Sequence, residues 1–309
     1  MVQKKRLVLM TYHIATATYD SVYYIPMYVM LFSLFENNRD VHVKAHILYN
    51  TLSDKQKTDV EHLASNYGND IHWIKMDDEA TKGFYTSAYL NVATYYRIFA
   101  PQLINDETDR LLFIDADVIV NGSVSELFSL NIAGVPLCAV KEVTPYKTER
   151  LGIPEGGNYF NAGIILYNLN DWRNNNYFDK LLQNIKIKHS DYWLFDQDAL
   201  NAMFYNVAFY LHPKWNHQNI FYSVSASYLE RMYGYPATEV LNNPVVIHYN
   251  TQLKPWHYLS THPLKHVFIK YLHQTPFKDF AEKGSLRLYF KKLRNRVKHK
   301  LVKLSIINK

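Results

Sequence analysis

Along the first 140 residues the apolar positions switch repeatedly between two periods. Leu7 to Thr11 is a short apolar run of the kind that forms a buried strand, and Ile25 to Phe35 is long and apolar enough for a helix packed behind it. His42 to Tyr49 alternates at period two and stops at Asn50, a second strand. Ser53 and Gln56 form a capping box for a helix that runs to Tyr67 and ends at Gly68. Ile71 to Met76 predicts a third strand and Ala93 to Leu103 a helix containing Pro101. Arg110 to Ile114 predicts a fourth strand, with Asp115 at its carboxyl end. Strands and helices in this alternation predict an α/β fold, a Rossmann-like, mostly parallel sheet flanked by helices.

Beyond Gly122 the pattern is less regular. Ala162 to Tyr167 is strand-like, and Asp171 to His189 puts Phe178, Leu181, Leu182 and Ile185 on one helical face. A further helix begins near Asp196, and Val245 to His248 is a short strand. The one compositional break lies near Gly284.

Composition and charge narrow the function classes. With 48% hydrophobic and 20% charged residues, the chain of 309 residues is neither disordered nor collagen-like. Cys138 is the single cysteine, which excludes a disulfide framework and a cysteine zinc site and fits a reducing compartment. No apolar run reaches the ~20 residues of a membrane span, so a soluble, cytoplasmic protein is expected. The net charge of +6 is uneven: residues 284–309 hold nine Lys/Arg and no acid, whereas residues 1–283 hold 25 basic and 28 acidic groups, net −3. A nucleic-acid binder would spread basic charge over its folded body, so no nucleic-acid partner is expected. The tail has its own pattern. Leu286, Phe290, Leu293, Val297, Leu301 and Leu304 share one helical face, with Arg287, Lys291, Arg294 and Lys298 on the others. A basic amphipathic helix of this kind predicts attachment to an anionic membrane surface. The expected organisation is a folded domain over 1–283 and a basic tail over 284–309.

Four segments carry side chains suited to chemistry. In Phe113-Ile-Asp115-Ala116-Asp117, two carboxylates two apart follow an apolar strand; if extended geometry persists they share one side of the sheet's carboxyl edge, where open α/β sheets bind ligands. Side by side they repel unless a cation lies between them, although a solvated loop would read the same way. His248 also ends an apolar strand, with Thr251, Lys254 and Trp256 following; a neutral imidazole can ligate metal and a lysine can meet phosphate, while a lone histidine here is ordinarily structural. Phe160-Asn161-Ala162-Gly163 offers small residues beside an amide, suited to close backbone approach or simply to a turn. Phe195-Asp196-Gln197-Asp198 opens a helix, with Asp196 expected as its N-cap and the three side chains fanned by ~100° each.

Together, in this order, these segments resemble glycosyltransferase family 8, retaining enzymes of the GT-A fold, over roughly residues 5–257; Thr94-Tyr-Tyr-Arg97 resembles the family's tyrosine–arginine helix. The resemblance implies a nucleotide-sugar site holding a divalent metal. Asp115, Asp117 and His248 would be its ligands, Asp115 also touching the ribose beside Ala116, with Lys254 and Arg97 near the diphosphate. Asn161, Ala162 and Asp196 would line the sugar, and Gln197 would stand where a nucleophile would be, with Asp198 the nearby carboxylate. Mn²⁺ is expected over Mg²⁺, since an imidazole sits among the ligands. Two departures stand out: Thr251 replaces the family's glycine, and His13 to Thr18 look inserted before Asp20 and Tyr23, the plausible match to a base-recognition element. Tyr146, Tyr159, Trp215 and Tyr222 are candidates to stack on sugars. The implied function is transfer of a glucose or galactose from a UDP-sugar to a glycan or glycolipid acceptor of the cell envelope, by an enzyme at the inner face of the membrane. The alternative is a non-catalytic nucleotide-sugar-binding protein of the same fold. A phosphohydrolase or nuclease would want more acidic ligands.

Overall fold

The structure is a computed structural model that describes residues 10–77, 79, 92–104, 108–143, 148–291 and 293–294. The chain packs as two compact units, Met1–His248 and Tyr249–Lys309.

In the first unit the strands are β1 (Thr11–Thr18), β2 (His42–Tyr49), β3 (Asp70–Lys75), β4 (Arg110–Ile114), β5 (Val118–Val120), β6 (Leu137–Lys141), β7 (Phe160–Asn168), β8 (Phe209–Tyr210), β9 (His217–Gln218) and β10 (Val246–His248). Its helices are α1 (Tyr24–Glu36), α2 (Asp54–Ser65), α3 (Tyr96–Leu103), α4 (Ser125–Phe128), α5 (Leu169–Asn174), α6 (Tyr177–Lys188), α7 (Phe195–Phe204), α8 (Ala226–Tyr233) and α9 (Ala237–Leu241); α10 (Lys265–Leu272) belongs to the second unit. Among the described residues the strands form a seven-stranded sheet in the order β3-β2-β1-β4-β7-β6-β8 and a three-stranded sheet in the order β5-β10-β9. Strands β1 to β4 run parallel, and β7 alone in the large sheet runs against its neighbours β4 and β6. The order reverses between β1 and β4, which makes that crevice the topological switch point of the sheet.

The capping box of α2 forms as expected: Ser53 Oγ accepts from Gln56 N (3.2 Å) and Ser53 N donates to Gln56 Oε1 (2.9 Å). Gly68 ends that turn at φ +69°, a left-handed conformation that favours glycine. Pro101 lies inside α3, where it removes an N–H that would have met the Arg97 carbonyl. The buried Tyr167 hydroxyl donates to that carbonyl instead, at 3.1 Å. Phe113, Phe160, Tyr167, Trp172 and Phe204 belong to one buried cluster that joins the sheet to helices α3, α5, α6 and α7.

Three expectations are corrected. Leu7 to Leu9 lie outside the described residues, and the first described strand runs over Thr11–Thr18, so that His13 to Thr18, read as following the strand, lie within it. His13 is tolerated there because its buried ring hydrogen-bonds the His46 ring across the two strands at 3.1 Å. The helix read from Asp171 to His189 is two helices, α5 and α6, separated at Asn176, which adopts φ +51°. Phe160 to Gly163 are not a turn but the first residues of β7.

Candidate active site

The reversed direction of β7 brings the site together. Because β7 is antiparallel to β4, its first residues lie at the carboxyl end of β4, pairing Ile114 with Ile164. Asp115 N donates to Gly163 O (2.8 Å), extending the ladder to the aspartate pair. The chain then turns through the buried Ala116 into β5, and His248 pairs opposite Val118 at the end of β10. The carboxylates of Asp115 and Asp117 and the His248 ring converge, with one ligand atom of each within 4.8 Å of the others. His248 Nε2 lies 3.3 Å from Asp117 Oδ1 and 3.8 Å from Asp115 Oδ2. Two oxygens and one nitrogen around one point, from mostly buried residues, fit a divalent cation of the Mn²⁺ or Mg²⁺ kind.

Gly163 is required by this closeness. A Cβ there would sit 2.2 Å from His248 Cε1 and 2.9 Å from Asp115 Oδ2.

Arg97, expected near a diphosphate, is buried and its guanidinium is engaged by protein. It reaches Asp115 Oδ1 (2.9 Å), Asp196 Oδ2 (2.8 Å) and the carbonyls of Thr94 (3.0 Å) and Ala162. Burial opposes its charge, but Asp115 and Asp196 outweigh burial and raise its pKa. Asp196 is not the N-cap of α7. Leu194 holds that position, Phe195 opens the helix at φ +45°, and Asp196 faces Arg97. Burial lifts the Asp196 carboxyl to about 6, against the opposing pull of Arg97.

The side chains fan out from α7 as expected, although Gln197 Nε2 (3.2 Å) and Asp198 both meet the Tyr159 hydroxyl. Gln197 Oε1 accepts from Ala162 N (2.9 Å), and its Nε2 donates to Glu142 Oε2 (2.6 Å). Asp198 is fully buried. Its Oδ1 accepts from the Tyr159 hydroxyl (2.7 Å), and its Oδ2 meets Leu194 N (2.8 Å) and Arg150 (2.8 Å). The carboxylate thus ties down the start of its own helix, against Tyr159 and Arg150. Tyr159 and Trp215 are likewise buried rather than open for stacking; the Tyr222 hydroxyl hydrogen-bonds the His217 ring (2.9 Å), and Tyr146 lies outside the described residues.

Asp20 and Tyr23 follow β1 at the same sheet edge. Asp20 Oδ1 accepts from Val22 N (2.8 Å), and Tyr23 is the N-cap of α1. In the second unit, Lys254 Nζ donates to Tyr249 O (2.9 Å) and Thr251 Oγ1 to Leu253 O (3.3 Å).

Two site residues escaped the sequence reading. Glu142 follows β6, which runs in the direction of β4, so its carboxylate belongs to the same carboxyl edge as Asp115. An acid directly after an apolar strand was a usable signal. Its Oε2 also accepts from Asn161 Nδ2 (3.1 Å), and burial raises its pKa against these amide hydrogen bonds. Asn216, fully buried before β9, joins Asn161 to His248 and has no signature in sequence.

Fold and site define an α/β protein with an acidic, metal-competent cluster at the switch point of its sheet. The pattern of the family described as "Glycosyl transferase family 8" matches residues 14–260, and the chain belongs to that family. It is similar to a lipopolysaccharide 1,2-glucosyltransferase of Escherichia coli, 27% identical over 92% of this chain and 83% of that one. It is also similar to general stress protein A of Bacillus subtilis, 29% identical over 81% of this chain and 88% of that one. A lipopolysaccharide 1,3-galactosyltransferase of Salmonella typhimurium is 27% identical over 82% of this chain and 75% of its own length. The crystal structure of the galactosyltransferase LgtC with donor and acceptor sugar analogues superposes with a TM-score of 0.76 at 24% identity, over 86% of this chain and 96% of that one. The fold is therefore GT-A, and the protein is a glycosyltransferase.

Proposed function

We propose that this protein is a retaining hexosyltransferase that moves glucose or galactose from a UDP-sugar to a hydroxyl of a cell-envelope glycan or glycolipid. The convergence of Asp115, Asp117 and His248 at the switch point carries the reading; the names of the lipopolysaccharide glucosyl- and galactosyltransferases support the donor sugar and acceptor class. These three residues would hold a divalent cation, Mn²⁺ by its tolerance of an imidazole beside carboxylates. When bound, such a cation supplies Lewis-acid stabilisation of the negative charge that grows on the departing diphosphate.

The chain's own residues then divide the work. Arg97 orients Asp115 and Asp196 together, fixing the metal side of the site relative to the sugar side. Asp196 is assigned to the sugar hydroxyls, and Asn161 and Ala162, near the start of β7, to the donor sugar. Asp20 and Tyr23 are assigned to the uridine, and Lys254 and Thr251 to the diphosphate. A double-displacement route needs a carboxylate nucleophile. Gln197 is an amide held at both ends, and Asp198 is enclosed, so the arrangement favours transfer on the face the leaving group departs from, with the leaving phosphate taking the acceptor's proton. The tail adds attachment to the anionic inner face of the membrane, which would bring the enzyme to a lipid-linked acceptor.

The test is titration calorimetry of UDP with and without Mn²⁺, paired with release of UDP from UDP-glucose and UDP-galactose. Metal-dependent UDP binding with turnover is expected, and Asp117→Ala should weaken Mn²⁺ binding by more than about tenfold. Binding without release of UDP would instead establish a non-catalytic binding protein.

A further inference from the structure

We infer that Asn216 is a positioning residue that sets the tautomer of His248, placing the ring proton on Nδ1 and leaving the Nε2 lone pair toward the two aspartates. The inference rests on the reading of Asp115, Asp117 and His248 as metal ligands. The chain of bonds begins at a backbone group whose polarity is fixed. Gly163 N–H donates to Asn161 Oδ1 at 2.9 Å, so that oxygen is an acceptor. The same oxygen lies 2.8 Å from Asn216 Nδ2, which obliges Asn216 to turn its NH₂ toward Asn161. The other end of the Asn216 amide, Oδ1, then faces His248 Nδ1 at 3.1 Å. A carbonyl oxygen only accepts, so Nδ1 carries the proton, and in the neutral ring Nε2 is bare.

The Asn161 amide is checked from its far end. Its Nδ2 lies 3.1 Å from Glu142 Oε2, and a carboxylate oxygen calls for a donor. Reversing any one amide in this series sets acceptor against acceptor.

Geometry leaves the ring little choice. Asn216 is fully buried and His248 nearly so, and β9, which begins just after Asn216, pairs directly with β10. Gly163 closes one side of the ring, where even a methyl group would overlap it. Metal-ligating histidines characteristically give their second N–H to a fixed acceptor, and loss of such a partner costs metal affinity. Here the acceptor is an amide whose own orientation traces back to a backbone N–H of β7.

The experiment uses the full chain labelled with ¹⁵N-histidine, metal-free at pH 8, with His248 assigned by its absence from the His248→Gln spectrum. Two-bond ¹⁵N–¹H couplings report which nitrogen bears the proton. The expected result is a protonated Nδ1, and a bare Nδ1 overturns the inference. The wild-type spectrum decides even where a variant fails to fold. In parallel, Asn216→Ala should raise the Mn²⁺ dissociation constant about 10- to 100-fold. Unchanged Mn²⁺ affinity in a folded Asn216→Ala protein also overturns it. Should the wild-type protein bind no Mn²⁺, the metal reading falls, and the nitrogen spectrum by itself still decides the tautomer.

Discussion

Gly163 has the Asp115 carboxylate on one side and the His248 ring on the other, and it is the tightest point of the site. Gly163→Ala would place a Cβ 2.2 Å from His248 Cε1, in the middle of paired strands that cannot give way cheaply. The expected outcome is a loss of about 1–3 kcal/mol in denaturant unfolding, accompanied by weaker Mn²⁺ binding. Asp196 gives a pH prediction whose sign can be worked out. Its folded pKa of about 6 lies above the ordinary 3.8, so the native state holds that proton more tightly than the unfolded chain. The resulting stabilisation is complete below pH 3.8 and is lost as pH rises through about 6. A shift of this size corresponds to a change on the order of 3 kcal/mol. Melting temperatures of wild type should therefore fall across that window relative to Asp196→Asn, whose profile lacks this component. Parallel profiles would mean that Asp196 stays ionised throughout.

At the scale of elements, the periodic segments were legible. His42–Tyr49 and Arg110–Ile114 have the bounds their patterns predict, and the Ser53–Gln56 box starts α2. These are decided by neighbours within a few residues. What failed was decided at longer range. In β1, His13 breaks the apolar pattern, and its burial is made acceptable by His46, far away in sequence. The α5–α6 break was hidden because the apolar spacing continues across it. Asn176 sits there at φ +51°, a conformation asparagine tolerates and alanine does not. Asn176→Ala should destabilise by about 1 kcal/mol while Asn176→Gly changes stability by less than about 0.5 kcal/mol, measured by urea unfolding.

At the scale of the whole molecule, the asymmetry of charge is the dominant feature. Among the described tail residues, 286–291 and 293–294 are helical, beginning just after Ser285, whose Oγ accepts from Leu288 N at 3.3 Å. Leu286, Phe290 and Leu293 of the apolar stripe are exposed; Val297, Leu301 and Leu304 lie outside the described residues. Among the described residues no helix is long and apolar enough to cross a membrane. Each basic residue near an anionic leaflet contributes about 1 kcal/mol. The full chain should co-sediment with phosphatidylserine-containing vesicles in a salt-sensitive manner, and a chain ending at Lys283 should not, with UDP affinity unchanged. Equal partitioning of the two chains would remove the membrane from the function.

Sequence by itself determined the alternation of strand and helix, the charged tail, and the residue types of the site: Asp115, Asp117, His248, Gln197 and the Phe160–Gly163 segment each stand at the end or start of a recognisable element. It did so because short-range periodicity and the residue after a strand are local properties. Tertiary structure decided how those residues are used. Only the reversal of β7 brings Gly163 against His248. Only packing shows that Asp198 is enclosed by Tyr159 and Arg150, and that Arg97 joins Asp115 to Asp196 rather than standing open. Asn216 is the extreme case, since a buried amide takes its role from whichever donors and acceptors the fold sets against its two ends, and no spacing in the chain encodes that choice.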